Sequence, residues 1–174
     1  DFYVLMNNDI EVLQENWMEQ MLSNCEREEV GIVGARLYYP DNTIQHAGLV
    51  IGIGGSLRGI GANLYQGMRR ERSGYLHRAA FQMNYSAVTA ALMMVKKEVY
   101  EKAGGFEEEL SVAFNDVDFC LRVRNIGYLI VYDPLVEAYH YESKSRGAED
   151  SPEKVARFQA EIEFMRNRWE DLLK

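Results

Sequence analysis

Apolar and polar positions fall in blocks along the chain, and the block lengths predict a mixed order of strands and helices. Phe2-Tyr3-Val4-Leu5-Met6 is a short apolar run of buried-strand character, closed by the polar turn Asn7-Asn8-Asp9. Leu13, Trp17, Met21 and Cys25 recur every fourth residue, the stripe of an amphipathic helix. Val30 to Tyr39 reads as a strand, Pro40-Asp41-Asn42 as a turn, and Thr43 to Ile53 as the returning strand of a hairpin. Gly52 to Gly74 is rich in glycine and arginine with weak periodicity, which predicts an ordered but mobile loop region.

The second half alternates more clearly. Val88 to Val95 is an apolar strand candidate entered through Asn84-Tyr85-Ser86, and Lys96 to Ala103 is a short helix stopped by Gly104-Gly105. Asn115 to Asn125 is helical, with Val117, Cys120, Leu121 and Val123 apolar and Gly127 just past its end. Tyr128 to Tyr132 and Leu135 to Tyr139 flank Asp133-Pro134 as two strands. An amphipathic helix over about 151–173 starts at Ser151-Pro152 and carries Val155, Phe158, Ile162, Met165, Trp169 and Leu172 at alternating spacings of three and four. That stripe is too short for a preferred coiled coil, so it is expected to pack on its own domain. There is no internal repeat.

Composition narrows the class. With 174 residues, 47% hydrophobic and 26% charged, the chain is long and apolar enough for one folded domain, 1–174. Nineteen basic against twenty-seven acidic residues give a net charge of −8, which excludes a sequence-independent nucleic-acid binder. No apolar run is long enough to span a bilayer. Only Cys25 and Cys120 are present, too few for a disulfide framework, so a cytoplasmic location is expected. The chain opens at Asp1 and enters a strand at once, which suggests a piece of a longer protein.

Candidate chemistry lies where strands end and a helix begins. Asp9 and His140 each follow a strand, and a carboxylate with an imidazole suits Mn²⁺ or Mg²⁺. Asp116 falls in the first turn of its helix, where the dipole favours the ionised form that a general base needs. With Asn115 as N-cap, Asp118 sits at the third helical position and reaches back to the cap, the alternative to a role in binding. His46, His77 and the pairs Tyr38-Tyr39 and Tyr139-Tyr141 read as packing or hydrogen-bonded residues, and Arg69-Arg70-Glu71-Arg72 as a solvated face. Gly52-Ile53-Gly54-Gly55 lacks the helix and lysine of a phosphate loop.

Taken together, these clusters resemble the family-2 inverting glycosyltransferases of the GT-A fold. Phe2 to Asp9 looks like that family's strand and metal-binding Asp-x-Asp motif, and Phe114-Asn115-Asp116-Val117-Asp118 to Arg122, followed by Gly127-Tyr128, is similar to its Glu-Asp catalytic segment. His140 matches the histidine after the family's late strand. Asn84 to Ala91 and Tyr141-Glu142-Ser143-Lys144-Ser145-Arg146-Gly147 resemble the branch of bacterial surface-polysaccharide enzymes that includes rhamnosyltransferase-like proteins. Asn7 and Asn115 depart from the pattern, standing where the family has acids.

The resemblance implies an α/β fold, an incomplete GT-A fold of mixed sheet flanked by helices, with the nucleotide-binding N-terminal half absent. It implies a metal site of Asp9, His140 and Asn7, and Asp116 as the catalytic base. Asp118, Asn84, Tyr85 and Thr89 fall on the acceptor side, while Lys144 and Arg146 fall against the donor diphosphate. The implied partners are a nucleotide diphosphate sugar, a divalent cation, and a saccharide or lipid-linked saccharide acceptor at the inner face of the plasma membrane. The implied enzyme is a hexosyltransferase-type transferase, with this piece alone inactive and self-associating as a homodimer through the surface of the missing half. A metal-dependent hydrolase and a non-catalytic interaction domain are the competing classes for the same residues.

Overall fold

The computed structural model describes residues 1–53, 59–141 and 151–173. In chain order the elements are β1 (Phe2–Met6), β2 (Ile10–Val12), α1 (Trp17–Cys25), β3 (Val30–Tyr38), β4 (Ile44–His46), β5 (Leu49–Ile51) and β6 (Gly61–Asn63). A 3-10 segment (Tyr75–Ala80) and β7 (Met83–Asn84) lead to β8 (Leu92–Lys96), α2 (Lys97–Ala103), α3 (Asn115–Asn125), β9 (Leu129–His140) and α4 (Pro152–Arg168).

The main sheet runs β1-β8-β3-β9-β2, with β4 also on β3 and β7 also on β9. β3 and β9 pair in parallel at its centre, and the other pairs are antiparallel. Alternation along the central strands sorts side chains onto two faces. Val33, Ala35 and Leu37 of β3 and Leu92 and Met94 of β8 pack with Met21 and Cys25 of α1. Ile32 of β3 and Met93 and Val95 of β8 face Phe119, Leu121 and Val123 of α3. Burial on both sides explains why β3 reads as a nearly continuous apolar run. Gly34 has a packing role, because a Cβ there would lie 2.4 Å from Val88 Cβ; its absence lets the segment before β8 rest on the sheet.

Several elements differ from their sequence patterns. The span 43–53 divides into β4 and β5, because Gly48 turns with φ +92 against the ring of Tyr85. The strand expected over Val88 to Val95 begins only at Leu92. The two runs around Asp133-Pro134 form one strand, β9, whose register with β3 jumps from Ala35↔Asp133 to Arg36↔Glu137. β1 is an edge strand with Tyr3, Val4 and Met6 exposed, so its apolar run does not mark a buried centre. Part of the expected loop 52–74 lies outside the described residues, and β6 within it pairs with β5.

The last helix packs on the domain through the middle of its stripe, with Val155 and Leu172 exposed. Ser151 Oγ caps it by accepting from Lys154 N at 3.3 Å, and Ile162, Met165 and Trp169 are buried. Its polar anchor is Asp118, fully buried on α3. Trp169 Nε1 donates to Asp118 Oδ1 at 2.9 Å, Arg122 Nε reaches Oδ2 at 2.8 Å, and Arg168 Nε stands 3.4 Å from Oδ1. Removing the charge from a buried, fully paired carboxylate strands its partners. Asp118→Asn is therefore expected to lose about 3 kcal/mol of stability, read as a lower denaturation midpoint with an unchanged slope.

Candidate active site

The turn Asn7-Asn8-Asp9 joins β1 to β2, and β2 pairs with the end of β9 so that Ile10 opposes His140. Two backbone bonds hold the turn: Asn7 N donates to Ala91 O at 2.9 Å, and Tyr141 N donates to Asp9 O at 3.0 Å. Asp9 Oδ1 consequently lies 3.2 Å from His140 Nε2, and Asn7 Nδ2 lies 3.2 Å from the same nitrogen. On the far side of the ring, His140 Nδ1 is 2.7 Å from Gln45 Oε1 of β4. With Gln45 Oε1 accepting, Nδ1 carries a proton, and Nε2 is the ring nitrogen turned toward Asp9.

That arrangement fits a cation. Asp9 Oδ1 is buried with no hydrogen-bond partner, and it stands 3.2 Å from His140 Nε2. Carboxylate oxygen and neutral imidazole together are donors that Mn²⁺ accepts. Rotating the Asn7 amide about its own axis presents Oδ1 in place of Nδ2, a third donor, an oxygen without charge. Among the described residues no three His, Cys, Asp or Glu side chains gather into a metal cluster. Asn7 stands where a third such ligand would complete one.

Asp116 opens onto the same cleft, a cavity of about 500 Å³ lined by Asn7, Asp9, His140, Thr89, Ala90, Asp116 and Phe158 among others. The start of α3 differs from the expected N-cap: Phe114 takes that position, in the left-handed region at φ 63, and Asn115 is the first helical residue. A bulky residue there is strained by about 1–3 kcal/mol, and the neighbours hold it. Its ring stacks on Phe158 of α4 at 5.7 Å, and buried Glu161 accepts from Val112 N at 3.2 Å and Ala113 N at 2.8 Å. Asp116 Oδ2 then accepts from Ala90 N at 3.2 Å, and Oδ1 from Val117 N at 2.8 Å. Burial raises its pKa above the ordinary carboxylate range, against the pull of the Ala90 amide and the Thr89 hydroxyl.

The structure thus brings together Asn7, Asp9, Thr89, Asp116 and His140. Three others do not reach the cleft. Asp118 is fully buried beneath α4, because its place on the helix turns it toward Arg122 and Trp169; the acceptor role read for it does not hold. Tyr85 is buried against Tyr132 and Gly48, and Asn84 is exposed on β7, which pairs with β9 at Val131, away from the strand's end. Lys144 and Arg146 lie outside the described residues. Gln45 and Glu161 are contributors that pattern alone missed, while Phe158 packs from the expected stripe and His46 is a buried hydrogen-bonded residue, as read.

His46 steadies the cleft wall. It is 2% exposed; its Nδ1 lies 2.7 Å from Asn63 Oδ1, and Thr89 N donates to Nε2 at 3.4 Å. Burial pushes its pKa down to about 4. The unfolded chain takes up this proton near the ordinary value of about 6.5 while the folded chain refuses it, so stability is full above that value and falls as pH drops toward 4. The expected loss is up to about 3 kcal/mol, and His46→Asn is expected to flatten that part of the stability–pH curve in denaturant titrations.

Comparison with known proteins bears on the fold. No known protein-family model matches the chain. It is 50% identical over 170 residues, 97% of its length, to an uncharacterized protein (y4gI) of Sinorhizobium fredii, and 34% identical over 153 residues, 88% of its length, to the O-antigen biosynthesis protein RfbC of Myxococcus xanthus. The chain spans only 18% and 12% of those two relatives. An N-acetylglucosaminyl-diphospho-decaprenol L-rhamnosyltransferase of Mycobacterium tuberculosis is 26% identical over 81 residues, 47% of the chain and 26% of that protein. Among solved structures, GalNAc-T7 with UDP, GalNAc and Mn²⁺ superposes with a TM-score of 0.60 at 11% identity, covering 90% of this chain and 31% of that one. The mannosyltransferase PcManGT of Pyrobaculum calidifontis with GDP-Man and Mn²⁺ gives 0.56 at 14% identity, covering 96% and 39%. A mixed sheet flanked by helices accords with those neighbours: the chain has the GT-A glycosyltransferase fold and is related in sequence to an O-antigen biosynthesis protein.

Proposed function

We propose that the chain forms the cation-binding and acceptor-side part of an inverting glycosyltransferase. Its donor is a nucleotide diphosphate sugar and its acceptor a saccharide or lipid-linked saccharide of bacterial surface polysaccharide. The observation that carries the reading is the convergence of Asp116 with the Asp9–His140 pair on one cleft.

Asp9, His140 and Asn7 would hold the divalent cation, which supplies Lewis-acid neutralisation of the departing nucleotide diphosphate when bound. Asp116 receives the proton of the acceptor hydroxyl on a carboxylate oxygen as the new bond to the anomeric carbon forms. The bond from that carbon to the diphosphate oxygen breaks on the opposite face, which inverts configuration. The amide of Ala90 and the hydroxyl of Thr89 aim the carboxylate and line the acceptor side. Lys144 and Arg146 add positive charge against the diphosphate in this reading.

Two further elements of the reading concern placement. No helix among the described residues is long and apolar enough to cross a membrane, which accords with a cytoplasmic protein peripheral at the inner face of the plasma membrane. The exposed apolar edge of β1 favours association with a second copy.

In the complete protein, Asp116→Asn is expected to keep donor affinity and lower the transfer rate by about a hundredfold or more. Because the carboxyl is held above the usual range, the acid limb of the pH–rate profile is expected at a correspondingly higher pH than for an exposed aspartate. Steady-state kinetics measure both; an Asp116→Asn enzyme at near-normal rate would remove this residue from the mechanism.

A further inference from the structure

Three of the most exposed large apolar side chains sit in one short stretch: Tyr75 at 71%, Leu76 at 65% and Phe81 at 59%. Arg69, Arg72 and Arg78 are exposed on the same stretch, with Glu71 as its single acid. We propose that this loop is a membrane contact that seats its apolar tips at the headgroup boundary of an anionic bilayer. The proposal rests on the peripheral placement proposed above and names the surface responsible.

The loop is built rather than loose. Buried Tyr132 donates its hydroxyl to Ala79 O at 2.8 Å, and Arg36 Nη2 donates to Arg70 O at 3.0 Å from beneath. Ala79 N closes the turn on Ser73 O at 3.0 Å, and Arg70 N bonds Asn42 O at 3.0 Å. Arg70 itself is spent on Glu137 at 2.9 Å. On this frame Leu76 and His77 take the left-handed region, at φ 50 and φ 58. A leucine in that conformation costs the fold energy, and at 65% exposure it gains almost nothing from the core. The frame holds Leu76 out from the core, where its side chain is open to a contact outside the domain.

Charge selects the partner. Across a chain of net charge −8, this stretch is a basic island. Salt screens charges beyond about 8 Å, so these arginines act on a partner that touches them. Tyrosine, leucine and phenylalanine at the acyl boundary with arginines at the phosphates match the depth profile of a bilayer interface. Apolar insertion and electrostatic attraction are the two signals that stable peripheral binding requires.

Co-sedimentation with vesicles tests this. The protein is expected to bind equimolar phosphatidylcholine–phosphatidylglycerol vesicles, to bind pure phosphatidylcholine weakly, and to be released by salt. Leu76→Asn with Phe81→Ser is expected to weaken binding by about tenfold, and Arg72→Glu with Arg78→Glu to abolish the preference for the anionic lipid. Asparagine tolerates the left-handed backbone, so Leu76→Asn keeps the fold, checked by its thermal melting. Transfer to a soluble acceptor without vesicles reports on the catalytic reading separately and is expected to be unchanged in these variants. A wild-type protein that ignores anionic vesicles overturns both the membrane placement and this surface. Variants that bind as well as wild type overturn the surface alone.

Discussion

Three residues, Asn7 to Asp9, join strands that stand at opposite ends of the sheet's hydrogen-bonded order, and that short reach governs the architecture. In a flat sheet β1 and β2 would lie about 19 Å apart, four spacings of about 4.8 Å. The chain from Met6 to Ile10 spans at most about 14 Å. The sheet must therefore bend, and β9 is where it does so, because Pro134, Leu135 and Val136 have no counterparts on β3. Asp133 holds the bend. Fully buried, it accepts from Asn24 Nδ2 at 2.7 Å, Gln20 Nε2 at 2.9 Å, Gln82 Nε2 at 3.3 Å and its own chain at Leu135 N, 2.9 Å. Helix α1 and the entry to β7 are thereby tied to the same bulge, and the far half of β9 is turned so that His140 meets Asp9.

The Asp116 side of the cleft depends on a second long-range tie. Asp116 comes to the cleft because Phe114 is held in a strained backbone, and the residues that hold it, Phe158 and Glu161, lie on α4. Asp118, two residues on, uses the opposite face of α3 to clasp the end of α4. One short acidic segment thus faces the cleft on one side and attaches α4 on the other.

Local pattern made much of this legible. α3 follows its apolar spacing but not its expected cap, α4 starts at its Ser151 cap, α2 stops at Gly104 with φ 84, and β3 carries the uninterrupted run of a strand buried on both faces. Periodicity could not show that β1 lies at an edge, since an apolar run looks the same whether its second neighbour is present or not. Nor could it show that two runs around Pro134 form one strand, because proline at a bulge leaves the ladder without ending it. In the site, Asp9, Asp116 and His140 were readable as polar residues at element ends. Gln45, Glu161 and the demotion of Asp118 were not, because each depends on partners 95, 48 and 51 residues away.

The claim on which the account turns is that the bend in β9 creates a cation site between Asp9 and His140. Diffraction at the manganese absorption edge, from crystals grown with Mn²⁺, tests it most directly. The account predicts an anomalous peak between Asp9 Oδ1 and His140 Nε2 that disappears in Asp9→Ala. A cleft without that peak at saturating Mn²⁺, or a peak that persists without the Asp9 carboxylate, would contradict it.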